Sequence, residues 1–281
     1  MKLAVFVVLL LIFIANCQTI IQLFLNPSYA RLLTKNQDVV EVVGFSGGYG
    51  LVYASLLTFI ANALPLVKQN KTSKLFRILL LLATSSSVFL IWKAGFFLAL
   101  VLLGVGILIM IIGVEKHQIM KSITISIFVL GTLFLFRNSI SNTIISSTLD
   151  TKYEEKVSGI FQDNSIDSDE FDERQNRYSR DLNLMIEYPV IGCWQFLLVG
   201  KHSFILDILA QYGLIFGSFF LFAMFFIPIQ TMKKSEGSAF NQSVVFVLVL
   251  FIFLLLNTLS ISILPIIFII FPYTNHLLQQ K

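Results

Sequence analysis

Long uncharged runs separated by short charged breaks set the pattern of this chain. The apolar runs repeatedly approach or exceed the roughly 20 residues that a helix needs to cross hydrocarbon. They predict about eight spans, at Leu3 to Leu25, Gly50 to Val67, Leu75 to Trp92, Ala94 to Val114, Ser122 to Phe136, Ser203 to Ile229, Ser243 to Ser260 and Ile261 to Pro272. Blocks such as Ala94 to Val114 do not alternate, which excludes a transmembrane barrel. Leu75 to Trp92 is marginal in length and Ile261 to Pro272 is shorter still, so each also fits a re-entrant or partial helix. The expected fold is all-α: a polytopic helical membrane protein with one large extracytoplasmic loop.

Composition strengthens this reading. The 281 residues are 56% hydrophobic and 13% charged, with 28 Phe, and the mean hydropathy is +0.83, far outside the range of soluble domains. Basic residues fix the expected orientation, because cytoplasmic loops retain them. Lys2, the group Lys68, Lys71, Lys74 and Arg77, then Lys116, Lys121, Lys233, Lys234 and Lys281 fall on one side. Arg31, Lys35 and Lys93 fall on the other, together with a loop over 137–202 that holds more acids than bases. The expected location is therefore a cytoplasmic membrane with both termini cytoplasmic and loop 137–202 outside. The net charge of +4 then serves topology and does not indicate nucleic-acid binding.

Lys2 followed by an apolar run and Ile14-Ala15-Asn16-Cys17 superficially suggests a lipoprotein leader, but Asn16 precedes the cysteine and apolar character continues to Leu25, favouring a retained span. Cys17 is expected in the membrane and Cys193 outside, so neither a disulfide nor a metal site is indicated.

Three parts follow along the chain: helices in 1–136, the loop 137–202 with an amphipathic helix over 174–187, and closing spans in 203–281. There is no internal repeat, which weakens a transporter reading. Residues 163–173 are acidic and poor in apolar side chains, the composition of a solvated tether. A calcium loop would require a glycine and terminal glutamate at spacings absent here. Residues 174–187 then read as a helix stopped by Tyr188-Pro189. Steps of about 100° place Tyr178, Leu182, Met185 and Ile186 on one stripe, suited to a membrane surface or to other spans. Arg174 and Asp181 lie at its edge, Arg177 is intermediate, and Arg180 and Glu187 lie opposite, which nominates Arg174 as the inward cation.

His202 opens a span into which Ser203, Asp207, Gln211, Tyr212 and Gly213 carry a polar strip. Asp207 is the one carboxylate inside an expected span. Such a group marks a functional site by default, yet a helix N-terminus in the wet headgroup region also suits an anion. His202 alone fits an ordinary interfacial residue as well as a proton acceptor.

Taken together, Arg174, Tyr178, Pro189 and Gly192, followed by His202-Ser203 and the helix that runs through Gly213-Leu214-Ile215-Phe216-Gly217, resemble the O-antigen polymerase and O-antigen ligase family of bacterial envelopes. There an arginine leads an aromatic residue and an Asn-Pro-x-x-Gly turn, and a His-Asn or His-Ser begins a helix ending Gly-Leu-x-Gly. The resemblance covers about 45 residues. Thr84-Ser85-Ser86-Ser87 stands where the family often has Thr-Gly-Ser-Arg, leaving Lys93 as the substitute cation. Trp194 stands where the turn usually has a second glycine, and several N-terminal spans common in the family have no counterpart here.

The resemblance implies a membrane polysaccharide polymerase that transfers an undecaprenyl-pyrophosphate-linked oligosaccharide to a glycan acceptor, building capsule, O-antigen or exopolysaccharide. Ligation of finished glycan to an envelope acceptor is the alternative, and a glycolipid transporter or inactive assembly component is the alternative of another class. It implies no metal or soluble cofactor, the lipid bilayer as surroundings, and flippase and chain-length regulator proteins as partners. Arg174 would hold the departing pyrophosphate, since a guanidinium fork matches two phosphate oxygens. His202 would accept the acceptor's proton or hydrogen-bond the departing phosphate. Arg177, Arg180, Tyr178, Asp207 and Lys93 complete the candidate substrate-binding set, Arg180 fitting a solvated helix charge paired with Asp181 or Glu187 equally well. Tyr178, Trp194 and Phe196 suit stacking on sugar rings and interfacial anchoring alike. The glycines Gly44, Gly47, Gly48 and Gly50 lack any nucleotide-binding context.

Overall fold

A computed structural model describes residues 2–26, 29, 47–68, 73–112, 168–195, 199 and 203–279, with backbone alone for Lys68, Phe97, Ile112 and 168–175. All regular structure among these residues is helical: α1 (Lys2–Leu25), α2 (Tyr49–Lys68), α3 (Lys74–Ala94), α4 (Phe97–Ile112), α5 (Ser168–Glu187), α6 (Phe204–Lys234) and α7 (Gly237–Leu256). A 3₁₀ turn (Ile261–Ile263), a π-turn (Ile266–Ile270) and α8 (Phe271–Gln279) close the chain. Among the described residues, six helical segments are long and apolar enough to cross a bilayer. The protein is therefore a multi-pass helical membrane protein by length and composition.

The described part of α4, Phe97–Ile112, lies within the expected span Ala94 to Val114. The expected span Ser122 to Phe136 lies outside the described residues. The last segment does not stop at Pro272 but runs through it as a 19-residue stretch, Ile261–Gln279. The Phe271 N–H bonds to the Ile266 carbonyl, five residues back. That wider turn loosens the backbone just ahead of a proline that would break a regular helix.

The chain forms two compact units. The first takes α1 to α4, α6 from Met224, α7 to Phe253 and the chain from Leu259 onward. α2 is its centre, with Val52, Ala54, Leu56, Ile60 and Ala61 fully buried. Tyr53 packs on Phe253 with ring centroids 4.7 Å apart, and Phe246 stacks on Phe271 at 3.9 Å.

Apolar packing gives little directional information in a bilayer, so buried polar groups fix how these helices pair. Asn16 of α1 donates to the Ser86 and Ser87 hydroxyls of α3, each at 3.2 Å, and accepts from Ser55 of α2 at 2.8 Å. One amide thus joins three helices, and Ser86 and Ser87 are absorbed in packing. A second network joins the hairpin of α6 and α7 to α8. Ser235 donates to Asn275 at 2.7 Å, and Asn275 donates to Ser243 at 2.7 Å and to the Ala239 carbonyl at 2.9 Å.

A third device repairs a proline. Pro65 lies inside α2 and has no N–H to offer the Ala61 carbonyl four residues earlier. Gln242 of α7 supplies the missing donor: its Nε2 bonds to the Ala61 carbonyl and to the Ile60 carbonyl at 3.0 Å.

Candidate functional site

The second unit holds α5, the turn after it, α6 as far as Ala223, and Leu254–Thr258. α5 is longer than the predicted 174–187, beginning at Ser168. Its enclosed face also differs from the expected stripe. Asp181 is completely buried, Leu184 nearly so, and Arg177, Tyr178 and Met185 are half-buried. Leu182 and Ile186 are exposed, Ile186 by 78%. The protein-facing side therefore centres on Asp181, not on Leu182 and Ile186. An apolar stripe in a membrane protein can satisfy itself against lipid as well as protein, so hydrophobic periodicity alone misplaces the rotation of such a helix.

Asp181 is accordingly no solvated surface partner for Arg180, which is exposed. Removing a carboxylate from water is costly unless its surroundings compensate, which makes Asp181 the residue of α5 that sequence reasoning undervalued. Arg177 lies four residues before it on the same face, a separation at which opposite charges attract. Arg174 lies in the backbone of α5 seven residues before Asp181, and its side chain is outside the described atoms. Tyr188, exposed just past the helix, donates a hydrogen bond to the Glu187 carboxylate. That bond and the nearby negative charge hold its phenol above the usual range.

α5 ends at Tyr188-Pro189, where the chain enters a turn that interlocks with α6. α6 is not continuous. Gly213 has φ 69° and ψ −178°, a conformation essentially restricted to glycine. The break leaves the Ala210 and Gln211 carbonyls without their helical donors, Leu214 and Ile215. The turn replaces both. The Cys193 N–H bonds to Ala210 O at 3.1 Å and the Trp194 N–H to Gln211 O at 2.9 Å. In return the Leu214 N–H bonds to Pro189 O at 2.9 Å and the Ile215 N–H to Val190 O at 3.3 Å. Every backbone group freed at those two positions is satisfied, as burial in an apolar medium requires.

The close approach explains two glycines. A Cβ on Gly192 would run into the Gln211 carbonyl, and one on Gly213 into the Val190 carbonyl. Gly217 passes beside Leu209, where a Cβ would lie 3.1 Å from the Leu209 Cα, so the second half of α6 bends sharply past the first.

This break changes the reading of Asp207. The residues from 214 to 234 alone supply about 21 residues, roughly 31 Å, enough for one crossing. Asp207 belongs to the short half-helix before the break, outside that crossing, where it is half-buried in the first turn. Ser203 caps this half-helix, its hydroxyl accepting from the Leu206 N–H at 3.3 Å. The Phe204 N–H bonds to Asn257 O at 3.0 Å, so the polar stretch after α7 anchors the start of α6. His202 and Phe196 lie outside the described residues.

Trp194 is the one described residue other than glycine with positive φ, at 54°. A bulky side chain there costs about 1–3 kcal/mol. Trp194 as a whole is 57% exposed, and its ring is braced edge-on by Tyr212 at 5.1 Å and Phe216 at 5.8 Å. Leu184, Val199 and Ala210 form the small core beneath, with Met185 and Cys193 against it.

Lys93 belongs to the first unit. Its Nζ lies 4.7 Å from the centre of the Phe24 ring, beside a run of aromatic contacts from Phe24 through Phe89 to Trp92. This is a cation–π contact at a helix end, an arrangement that also suits interfacial anchoring. Among the described residues no group of His, Cys, Asp and Glu could hold a metal ion.

No protein-family model, no curated protein and no solved structure matches this chain.

Proposed function

We propose that the protein is a membrane polysaccharide polymerase, which moves an oligosaccharide from a polyprenyl pyrophosphate carrier onto a glycan hydroxyl. The observation that supports this reading is the interlock between the turn after α5 and the break in α6. It ties the C-terminal end of α5, the helix whose sequence carries Arg174 and Arg177, to the half-helix that begins at Phe204. Rigid support is what electrostatic stabilisation of a leaving group needs.

In the reaction, an acceptor hydroxyl oxygen bonds to the anomeric carbon of the donor sugar while the bond from that carbon to the pyrophosphate oxygen breaks. The electron pair leaves with the pyrophosphate, where Arg174 would balance the charge bidentately. The hydroxyl proton passes to His202 or to the departing phosphate. Arg177, on the same helix, is suited to a second contact with phosphate or an acidic sugar.

The test is chain extension in vesicles carrying the purified protein and synthetic polyprenyl-pyrophosphate-linked repeat units. Arg174→Ala and His202→Ala should each lower the rate by at least about 100-fold, while Arg180→Ala keeps most of it. Equal rates in all three variants would remove the assignment.

A further inference from the structure

We propose that the exposed indole of Trp194 is the floor of a carbohydrate subsite, on which a pyranose ring of the glycan stacks. The inference rests on the polymerase reading for its ligand class and on the geometry of the turn for its position.

The starting point is a backbone that disfavours the residue it carries. At φ 54° glycine or asparagine would be accommodated with far less strain, yet the position holds the bulkiest side chain available. Strained positions persist where the surrounding structure over-determines them, and the inference runs from the outlier to a use. The surroundings here do determine it: the Trp194 N–H is held by Gln211 O, and the ring is wedged against Tyr212 and Phe216. Tyr212 itself packs on Phe220 at 5.1 Å, so the brace continues down α6.

The result is a braced aromatic ring on a residue that remains 57% exposed. A folding role would have buried it. Membrane anchoring would not require the strained backbone, because the same turn already exposes Val190 and Ile191, and α5 exposes Ile186. Those side chains supply apolar contact at no conformational cost. What a fixed indole adds is a flat apolar surface with an N–H donor at its edge. That combination matches the apolar face and hydroxyl rim of a pyranose. Immobilising the ring beforehand also reduces the entropy lost when a flexible glycan binds.

The chain contains two tryptophans, so Trp92→Phe leaves Trp194 as sole indole reporter. In that protein, embedded in vesicles, oligosaccharide released by mild acid from the lipid-linked glycans of the producing cells should change the tryptophan emission saturably. Vesicles containing brominated acyl chains should quench it weakly. Strong bromolipid quenching without a glycan response would make Trp194 a membrane anchor, and no glycan response at all would equally overturn the proposal. In the kinetic arm, Trp194→Gly relaxes the backbone and removes the ring, and Trp194→Asn does the same if the glycine variant proves too flexible. Both should raise KM for the acceptor about ten-fold, with kcat nearly unchanged, while Trp194→Phe stays within about three-fold. Unchanged KM in the glycine and asparagine variants would remove the subsite and leave the polymerase reading intact. Saturable glycan binding in a protein that extends no chains would do the reverse.

Discussion

Gly192 and Gly213 meet backbone to backbone, so that a Cβ on either would collide with the amide nitrogen of the other. The two lie on different elements and are locked by the four main-chain bonds around them. Gly213→Ala should therefore destabilise the purified protein by about 3 kcal/mol or more, combining a forbidden backbone conformation with a collision. Gly104→Ala is the matched control: a Cβ there meets nothing within 4 Å, and the change should be neutral or stabilising by up to about 1 kcal/mol. Thermal unfolding in detergent compares them, and similar melting temperatures for both would refute the interlock.

The repair of Pro65 by Gln242 predicts an interaction between two substitutions. Gln242→Leu should cost about 1–2 kcal/mol in the natural chain, because the Ala61 carbonyl loses its donor. In a Pro65→Ala background the restored helical N–H takes over, and the same substitution should cost roughly 1 kcal/mol less. Additive effects in the double-mutant cycle would show that Gln242 does something else.

Asn16 predicts a dependence on one amide in the membrane. Asn16→Leu leaves Ser55 without its acceptor and Ser86 and Ser87 without their shared donor. A loss of about 1–2 kcal/mol is expected, the upper range for polar contacts between membrane helices. Disulfide trapping between cysteines placed on α1 and α3 offers a second readout, and its efficiency should fall with the variant. Undiminished stability together with undiminished trapping would leave Asn16 without a clamping role.

Tyr188 predicts a pH effect. The Glu187 carboxylate favours the neutral phenol, raising its pKa above the reference value of 10.0. The folded chain thus holds this proton more tightly than the unfolded one. Its contribution to stability is present below pH 10 and is lost as pH rises through the folded pKa. The absorbance titration assigned by difference to Tyr188 should move down towards 10 in Glu187→Gln. An unmoved midpoint would dissociate the two groups.

The helical membrane class was legible in the uncharged runs, because a bilayer leaves little choice of spanning element. The ends of α1, α2 and α3 fell within a residue or two of the expected boundaries. The bend in α6 was not legible. Gly213 is compatible with a continuous helix in sequence terms, and only the donors in the distant turn make a break affordable. The rotation of α5 was hidden for a related reason: Leu182 and Ile186 are apolar yet exposed, and Asp181 is charged yet buried. For Trp194 a signal did exist, since it stands where the resembled turn usually has glycine, and its φ of 54° shows why a glycine suits that place.

The pairing of the turn with α6 carries a constraint on chain length. Pro189 and Val190 are matched to Leu214 and Ile215, and Cys193 and Trp194 to Ala210 and Gln211, like teeth of a key cut at fixed spacing. Side chains between Pro189 and Trp194 are free to drift so long as Gly192 remains. A single inserted or deleted residue would shift every later tooth by one notch, so this turn tolerates rewriting but not resizing.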